Sequence, residues 1–265
     1  IKGQSSKQND AMIVDAGNFS AGSGTQNEIK TEYLLKGMSV LGYDAINIGH
    51  KDIQLGKQYL ALFKEKYKIP FISANLYDFK SNQLFVEPFI IKRFGARNTF
   101  GIIHGGFKVG IFGIMMDNIQ PNSKHHENEF YITDPEKAAR SVVAELKGKC
   151  DIIIALSQLS YEKAINLIQN IAGIDVIVCG NNPALEQEPE VIKNTIFVQP
   201  GTLGKYIGDL TLMLDTNHQI YAHQGFLTAL DAKFPNNDQM IELLNQYKDE
   251  LKNITRKKST PSLTN

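Results

Sequence analysis

Four short apolar segments of this chain are each followed at once by polar side chains that could bind a metal or an anion. With their polar ends they cover residues 14–18 (Val-Asp-Ala-Gly-Asn), 48–52 (Ile-Gly-His-Lys-Asp), 155–158 (Ala-Leu-Ser-Gln) and 178–183 (Val-Cys-Gly-Asn-Asn-Pro). Each apolar segment is typical of a buried strand, and α/β folds build their sites at the carboxyl ends of such strands. We therefore expect the four loops to meet in one site. The candidate binding residues are Asn18, His50, Lys51, Gln158, Asn181 and Asn182.

The elements that would position these loops alternate between strand and helix along most of the chain. This alternation predicts an α/β fold with layers of helix and sheet. Strands 88–94 and 107–114 are expected to pair antiparallel, because Gly105 and Gly106 provide a turn signal between them. Segments 195–199 and 208–214 are interpreted as strands of a second sheet, with 220–225 alongside. The other predicted strands are 11–15, 45–48, 71–74, 151–156 and 175–178, and the predicted helices are 27–41, 56–67, 135–148 and 161–172.

Composition excludes several classes of protein. The chain has 265 residues, enough for one large α/β domain, and it carries 28 basic and 28 acidic residues. Nucleic-acid-binding modules usually have a basic excess, so this balance argues against a nucleic-acid partner. No segment approaches the roughly 20 consecutive apolar residues that a membrane-spanning helix needs.

The two cysteines are predicted to be free thiols. Cys150 precedes one predicted strand and Cys179 follows the next. In neighbouring parallel strands these positions lie at opposite ends, roughly 15–20 Å apart at about 3.3 Å per residue. A disulfide needs Cα atoms within about 7 Å, so we expect two separate and largely buried thiols.

The order of several segments resembles a known family. The segments VDAGNFSAGSG, GYDAINIGHKDIQLG, IPFISANL, KVGIFGI, DIIIALSQLS, GIDVIVCGNNP and VQPGTLGKYIGDLTLMLD follow one another over residues 11–215. Together they resemble the calcineurin-like metallophosphoesterase domain of the 5'-nucleotidase family. The resemblance implies a layered α/β fold with two mixed β-sheets flanked by helices. It also implies that the family's first strand has no counterpart here.

The positions that hold metal in that family carry different residues in this chain. The resemblance implies two metal ions about 3.5–4 Å apart, which activate a water for attack on phosphorus. The family's Gly-Asp is Gly17-Asn18 here, and its Gly-Asn-His-Glu is the run Gly-His-Lys-Asp at 49–52. A later His is Gln158, and the Gly-His-x-His is the run Gly-Asn-Asn-Pro at 180–183.

These replacements argue against a metal site. Asn, Gln and Pro do not replace carboxylate or imidazole ligands for a transition metal, and only His50 and Asp52 remain as donors. The sequence therefore predicts no metal and no cofactor. Lys51 and Asp52 are the remnants of the catalytic positions.

Lys51 itself allows two interpretations. Its ammonium could bind phosphate or a carboxylate without any metal. Alternatively, it could occupy the space of a lost metal and pair with Asp15 or Asp52, which would keep the remaining carboxylates neutralised. We favour the second interpretation.

The leading functional hypothesis is a non-catalytic metallophosphoesterase-like domain that acts as a structural or protein-interaction module. One alternative is a metal-dependent phosphohydrolase, such as a 5'-nucleotidase, with a rearranged site built on His50 and Asp52. Another is a metal-free binder of a small anion or nucleotide that uses Lys51, Asn18 and Asn181. Metal content and phosphate release distinguish these possibilities.

The resemblance also suggests a location and a partner. Relatives of this family are largely exported, and some are joined to multihaem c-type cytochromes. It thus implies an extracytoplasmic location, periplasmic or at the cell surface, and a protein partner that is a multihaem cytochrome or a second copy of the chain. This chain contains no Cys-x-x-Cys-His and so attaches no c-type haem of its own.

The predicted organisation has four parts. Residues 1–10 form a polar N-terminal segment, and residues 11–230 form the metallophosphoesterase-like domain. Residues 231–254 contain a linker-like amphipathic helix, and residues 255–265 are expected to be disordered.

Overall fold

A mixed sheet forms the centre of the fold in the computed structural model, which describes residues 11–95, 97–99, 102–117, 128–181 and 188–259. Within these residues the sheet has six strands. The four inner strands are parallel, and an antiparallel strand lies at each edge. In spatial order the strands are β13 (Glu190–Ile192), β14 (Thr195–Val198), β12 (Val176–Cys179), β11 (Ile152–Gln158), β9 (Phe107–Met115) and β6 (Phe89–Phe94).

A second, parallel sheet carries the first two candidate loops. It contains β1 (Val14–Asp15), β2 (Ala45–Asn47) and β3 (Phe71–Ile72), in that order. Helix α1 (Thr25–Leu41) connects β1 to β2, and α2 (Lys57–Tyr67) connects β2 to β3. Gly42 ends α1 in the left-handed conformation, as expected of a glycine C-cap.

Three small sheets complete the strand structure of the described residues. One contains β10 (Phe130–Ile132), β4 (Leu76–Asp78) and β5 (Gln83–Leu84). The other two are hairpins, β7 (Arg97–Thr99) with β8 (Ile102–His104), and β15 (Tyr206–Leu214) with β16 (Ile220–Ala229).

Helices cover one face of the central sheet. Helices α3 (Pro135–Leu146) and α4 (Tyr161–Asn170) pack there with buried side chains such as Ala139 and Leu167. On β9, Phe112 belongs to this helix-facing core, whereas its neighbour Ile111 belongs to the core on the opposite face. Successive residues of a strand point to opposite faces, so burial on both sides explains why the inner strands are continuously apolar.

A long C-terminal helix packs against α1. This helix, α5 (Asp238–Ser259), places Tyr247 so that its ring centroid lies 5.7 Å from that of Tyr33. The helix extends through residues 255–259, the first five residues of the segment for which disorder is predicted. The helical pattern simply continues into the basic Arg-Lys-Lys segment.

The predicted α/β fold class, with mixed sheets flanked by helices, is confirmed. One strand was assigned to the wrong sheet, because Thr195–Val198 pairs in parallel with β12 in the central sheet rather than with Tyr206–Leu214. The two cysteines are free, with Cys179 buried and Cys150 half-buried. Among the described residues, none of the helices has the length and apolar character required to cross a bilayer.

Candidate functional site

The four predicted loops meet at the carboxyl ends of β1, β2, β11 and β12. Gly17 shows how closely they approach, because a Cβ added there would lie 2.8 Å from the Asn47 carbonyl oxygen and 3.2 Å from Cγ of Gln158. A Cβ added at Gly180 would lie 2.6 Å from Nε2 of Gln158. Glycine is needed at position 17 for a second reason, since its φ is 103°.

The side chain of Asn18 lies at the centre of a hydrogen-bond network. Its Oδ1 accepts the backbone N–H of Lys51 at 3.0 Å. Its Nδ2 donates to Oε1 of Gln158 at 2.5 Å and lies 3.3 Å from Nδ1 of His50. Gln158 in turn donates from Nε2 to the carbonyl oxygen of Gly17 at 3.0 Å.

These bonds fix the orientation of every group in the network. Because the backbone N–H of Lys51 is a donor, the Asn18 side-chain atom that faces it must be the oxygen. The nitrogen of Asn18 must then face Gln158 and His50. With its two hydrogens, Nδ2 bonds Oε1 of Gln158 and Nδ1 of His50. Neutral His50 therefore accepts at Nδ1 and carries its proton on Nε2.

Asp52 is fully buried beneath the network and is held by backbone groups. Its Oδ2 accepts the N–H groups of Asn18 at 2.8 Å and Gly49 at 2.7 Å, and its Oδ1 accepts that of Ser20 at 2.7 Å. Burial raises the pKa of Asp52 to about 7, the three N–H groups oppose that rise, and nearby Asp15 adds to it. Burial likewise raises the pKa of Asp15 to about 6, against a hydrogen bond from the Gly17 N–H.

Lys51 does not form the ion pair with Asp15 or Asp52 that was predicted for it. Its side chain is exposed, and it forms no ion pair with any residue in the described ranges, including Asp15 and Asp52. The prediction of such a pair is wrong because Asp52 is fully buried and held by three backbone N–H groups, whereas the Lys51 side chain lies at the surface. The charge of Lys51 and burial both lower the pKa of His50, with burial the larger cause.

The fourth loop is partly described. Gly180 donates its N–H to the carbonyl oxygen of Ser157 at 2.9 Å, which fixes the loop beside Gln158. Asn181 is half-buried next to it. Asn182 lies outside the described residues.

Sequence reasoning missed Asn47, which ties three strand ends together. It is fully buried, and its Nδ2 lies 3.0 Å from each of the carbonyl oxygens of Ala16, Ile114 and Leu156. These oxygens lie at the ends of β1, β9 and β11. The signal was present in the sequence, since one asparagine interrupts the apolar run Ala-Ile-Asn-Ile at 45–48.

Known proteins resemble this chain in sequence and in structure. The trifunctional nucleotide phosphoesterase protein YfkN of Bacillus subtilis is 24% identical over 282 residues, covering 96% of this chain and 19% of YfkN. The 5'-nucleotidase of Vibrio cholerae is 26% identical over 229 residues, covering 74% of this chain and 40% of that protein. No protein-family model matches the sequence.

Solved structures show the same architecture. The 5'-nucleotidase precursor of Thermus thermophilus superposes with a TM-score of 0.79 at 23% identity, covering 93% of this chain and 50% of that one. The calcineurin-like phosphoesterase YfkN of B. subtilis superposes with a TM-score of 0.77 at 19% identity, covering 96% and 88%. The chain has the fold of a calcineurin-like phosphoesterase. The resemblance to the 5'-nucleotidase family is thus confirmed, and the chain spans less than half the length of the two sequence relatives.

Within this phosphoesterase fold, the side chains do not fit the two metal ions that the resemblance implies. The amide groups of Asn18 and Gln158 bond each other and the backbone, and the Asp52 carboxylate accepts three N–H groups. The described residues contain no group of three or more His, Cys, Asp or Glu side chains arranged to hold a metal. What the arrangement does instead is join separate loops by direct hydrogen bonds.

Proposed function

We propose that this domain does not perform two-metal phosphoester hydrolysis and serves as a non-catalytic structural or protein-interaction module. One observation carries the proposal: the Asn18 side chain bonds Gln158, His50 and the Lys51 backbone at once. The side chains at the former ligand positions thus satisfy one another. A metal would have to break these bonds before it gained a ligand.

The chemistry of the donor set supports the same conclusion. Two divalent cations carry four positive charges and need anionic ligands close by. Asn18 and Gln158 are neutral, and the buried carboxyl group of Asp52 points its oxygens at three N–H groups. Lys51 adds a positive charge at the same loop, which opposes cation binding further.

Exposed apolar side chains support an interaction role. Leu203 is 83% exposed, and Tyr221 and Phe226 on β16 are exposed as well. Contiguous exposed apolar patches often mark contact surfaces, and we propose that these side chains contribute to such surfaces. The proposed partner is another protein, either a multihaem cytochrome or a second copy of this chain, in an extracytoplasmic location. Sedimentation velocity over a range of concentrations tests the second copy, because self-association would increase the sedimentation coefficient with concentration.

Metal content and phosphatase activity test the loss of catalysis. The purified protein is incubated with Mn²⁺ or Zn²⁺, freed of excess metal, analysed for bound metal and assayed on nucleotides. We expect substoichiometric metal and no phosphate release above background. About two ions per chain together with nucleotide hydrolysis would refute the proposal.

A variant with the family's residues provides the matched control. The triple substitution Asn18→Asp, Gln158→His and Asn181→His replaces three neutral amides by one carboxylate and two imidazoles. We expect this variant to bind more Mn²⁺ than the wild type. If it binds none while remaining folded, the amide side chains are not what prevents metal binding.

A further inference from the structure

An open cavity lies beside the small sheet of β10, β4 and β5. Its volume is about 320 Å³, and it is lined by Lys64 of α2, Tyr77 of β4 and the run 83–88, which contains β5 and the segment after it. None of the described residues of the four strand-end loops lines it. Small-molecule sites in proteins have volumes of roughly 300–1,000 Å³, so this cavity suits a small ligand.

The solvent-facing side of the small sheet brings an aromatic stack to this cavity. Tyr131 of β10 lies opposite Tyr77 of β4, which in turn lies opposite Leu84 of β5. Opposite residues of antiparallel strands share a face, so these three side chains form one row. Their strand neighbours Leu76 and Phe130 are buried in the core on the other face. The row itself is half-buried and borders solvent.

Tyr131 holds the ring of Tyr77 from one side. The two ring centroids are 5.1 Å apart and the ring planes differ by 19°, so the rings stack. The ring of Phe79 meets that of Tyr131 edge-on at 6.5 Å. The face of Tyr77 turned away from Tyr131 points toward β5, where Leu84 and the cavity lie. This face therefore provides an apolar, well-oriented surface in the cavity wall.

Polar side chains of both charge signs complete the wall. Lys64 is half-buried and Glu87 is exposed, and within the described residues neither side chain forms an ion pair. Gln83 adds an amide that both donates and accepts hydrogen bonds. A ligand with net negative charge would be repelled by Glu87, and one with net positive charge by Lys64. The wall therefore suits a neutral ligand that has an apolar face and many hydrogen-bonding groups at its edge.

We propose that this cavity binds one neutral sugar ring, either a free monosaccharide or the terminal residue of a glycan. The C–H face of a pyranose packs on the ring of Tyr77, and its hydroxyl groups accept from Lys64 and donate to Glu87. Gln83 can serve as either partner. The inference goes beyond the proposed loss of catalysis, because the residues that carry it lie outside the four strand-end loops.

Saturation-transfer NMR on the full chain tests the inference, with the methyl glycosides of glucose, galactose, mannose and N-acetylglucosamine as probes. We expect saturation of the C–H protons of a bound sugar and an upfield shift of those that lie over Tyr77. Tyr77→Leu removes the aromatic ring and should weaken binding by about tenfold. Tyr77→Phe keeps the ring and should retain binding. Tyr221→Leu, at an exposed tyrosine of β16 outside the cavity, is the matched control and should change nothing.

Charge substitutions test the polar part of the wall without removing the aromatic ring. The wild type should bind the neutral methyl glycoside more tightly than that of the corresponding uronic acid. Glu87→Gln removes the repulsion and should improve the relative affinity for the uronic acid by about twofold to fivefold. Lys64→Gln should lower it by a similar factor. An unchanged preference in both variants would contradict the roles given to these side chains.

The source of the sugar follows from comparing the bound monosaccharide with a disaccharide that carries it at the non-reducing end. Equal affinities identify a single ring as the whole ligand, and tighter binding of the disaccharide identifies a glycan; both support the inference. No saturation transfer to any sugar would overturn it, as would equal weakening by Tyr77→Leu and Tyr221→Leu. Binding of phenylalanine, an aromatic zwitterion, in preference to every sugar would also overturn it. None of these results bears on metal content or phosphatase activity, which test the proposed function separately.

Discussion

The Asn18 side-chain amide donates to the side-chain oxygen of Gln158, 140 residues further along the chain. Gln158 donates back to the Gly17 carbonyl oxygen, so the two loops are joined in both directions. The pair connects the end of β1 to the end of β11. It therefore links the parallel sheet to the central sheet at the site itself.

Removing Gln158 should destabilise the fold. Residue Gln158 is 1% exposed, and Gln158→Leu leaves the Gly17 carbonyl and one Asn18 hydrogen without their partner. We expect a loss of about 1–3 kcal/mol in the free energy of unfolding, measured by urea denaturation. Asn18→Gly completes a double-mutant cycle, because glycine tolerates the φ of 63° at this position. Additive effects of the two substitutions would contradict a direct interaction, for which about 1 kcal/mol of coupling is expected.

Asn47 should matter more to stability than to the site's chemistry. Asn47→Ala removes the buried amide that lies 3.0 Å from three carbonyl oxygens, and it leaves them without that donor. We expect a loss of about 2–3 kcal/mol in the free energy of unfolding. Asn245→Ala on the exposed face of α5 is the control and should change it by less than about 0.5 kcal/mol. Similar losses for the two variants would exclude the bridging role.

Two glycine-to-alanine substitutions should have opposite effects on the free energy of unfolding. A Cβ at Gly49 would lie 2.3 Å from Oδ1 of Asn18, so Gly49→Ala must displace the network. We expect it to destabilise the protein by about 1–3 kcal/mol. A Cβ at Gly37 within α1 meets its nearest neighbour, Sδ of Met240, at 3.7 Å, so Gly37→Ala should stabilise by about 0.5–1 kcal/mol. Thermal unfolding measures both, and destabilisation by Gly37→Ala would be the contrary result.

Asp78 should make stability depend on acid pH. Residue Asp78 is 4% exposed, and a hydrogen bond from Lys57 together with others from Ser81 lowers the pKa of its carboxyl group from 3.8 to about 2. The folded state therefore binds this proton less readily than the unfolded state. The contribution of Asp78 is complete above about pH 4 and is lost as pH falls toward 2.

Asp78→Asn tests this dependence. We expect a loss of about 1–2 kcal/mol at pH 7 and a shallower decline in unfolding free energy between pH 4 and pH 2. Asp231→Asn, which alters a more exposed carboxylate near Lys233, is the control and should change neither quantity appreciably. An unchanged acid dependence in Asp78→Asn would contradict the assignment.

The sequence predicted the four loops well because their determinants are local. Each apolar run needs burial as a strand, and parallel strands in α/β folds bring their carboxyl ends to one edge. Asn18 and His50 meet for this reason, because they follow neighbouring parallel strands, whereas Gln158 reaches them from the central sheet. Their binding of a ligand stays a prediction.

Predictions that depended on partners across the fold succeeded less well. The run Thr195–Val198 is recognisable as a strand, but nothing within it specifies β12 as its neighbour. The pairing predicted for Lys51 failed because it considered charge alone. A prediction from side-chain charges leaves out the backbone N–H groups. Three of these groups donate hydrogen bonds to Asp52.

The carboxylate of Asp52 has a consequence for how the site moves. It accepts N–H groups from Asn18 and Ser20 in the first loop and from Gly49 in the second. If the carboxylate moved away, all three hydrogen bonds would break. Displacement of the Asp52 carboxylate would therefore expose all three amide protons to exchange with solvent deuterium together.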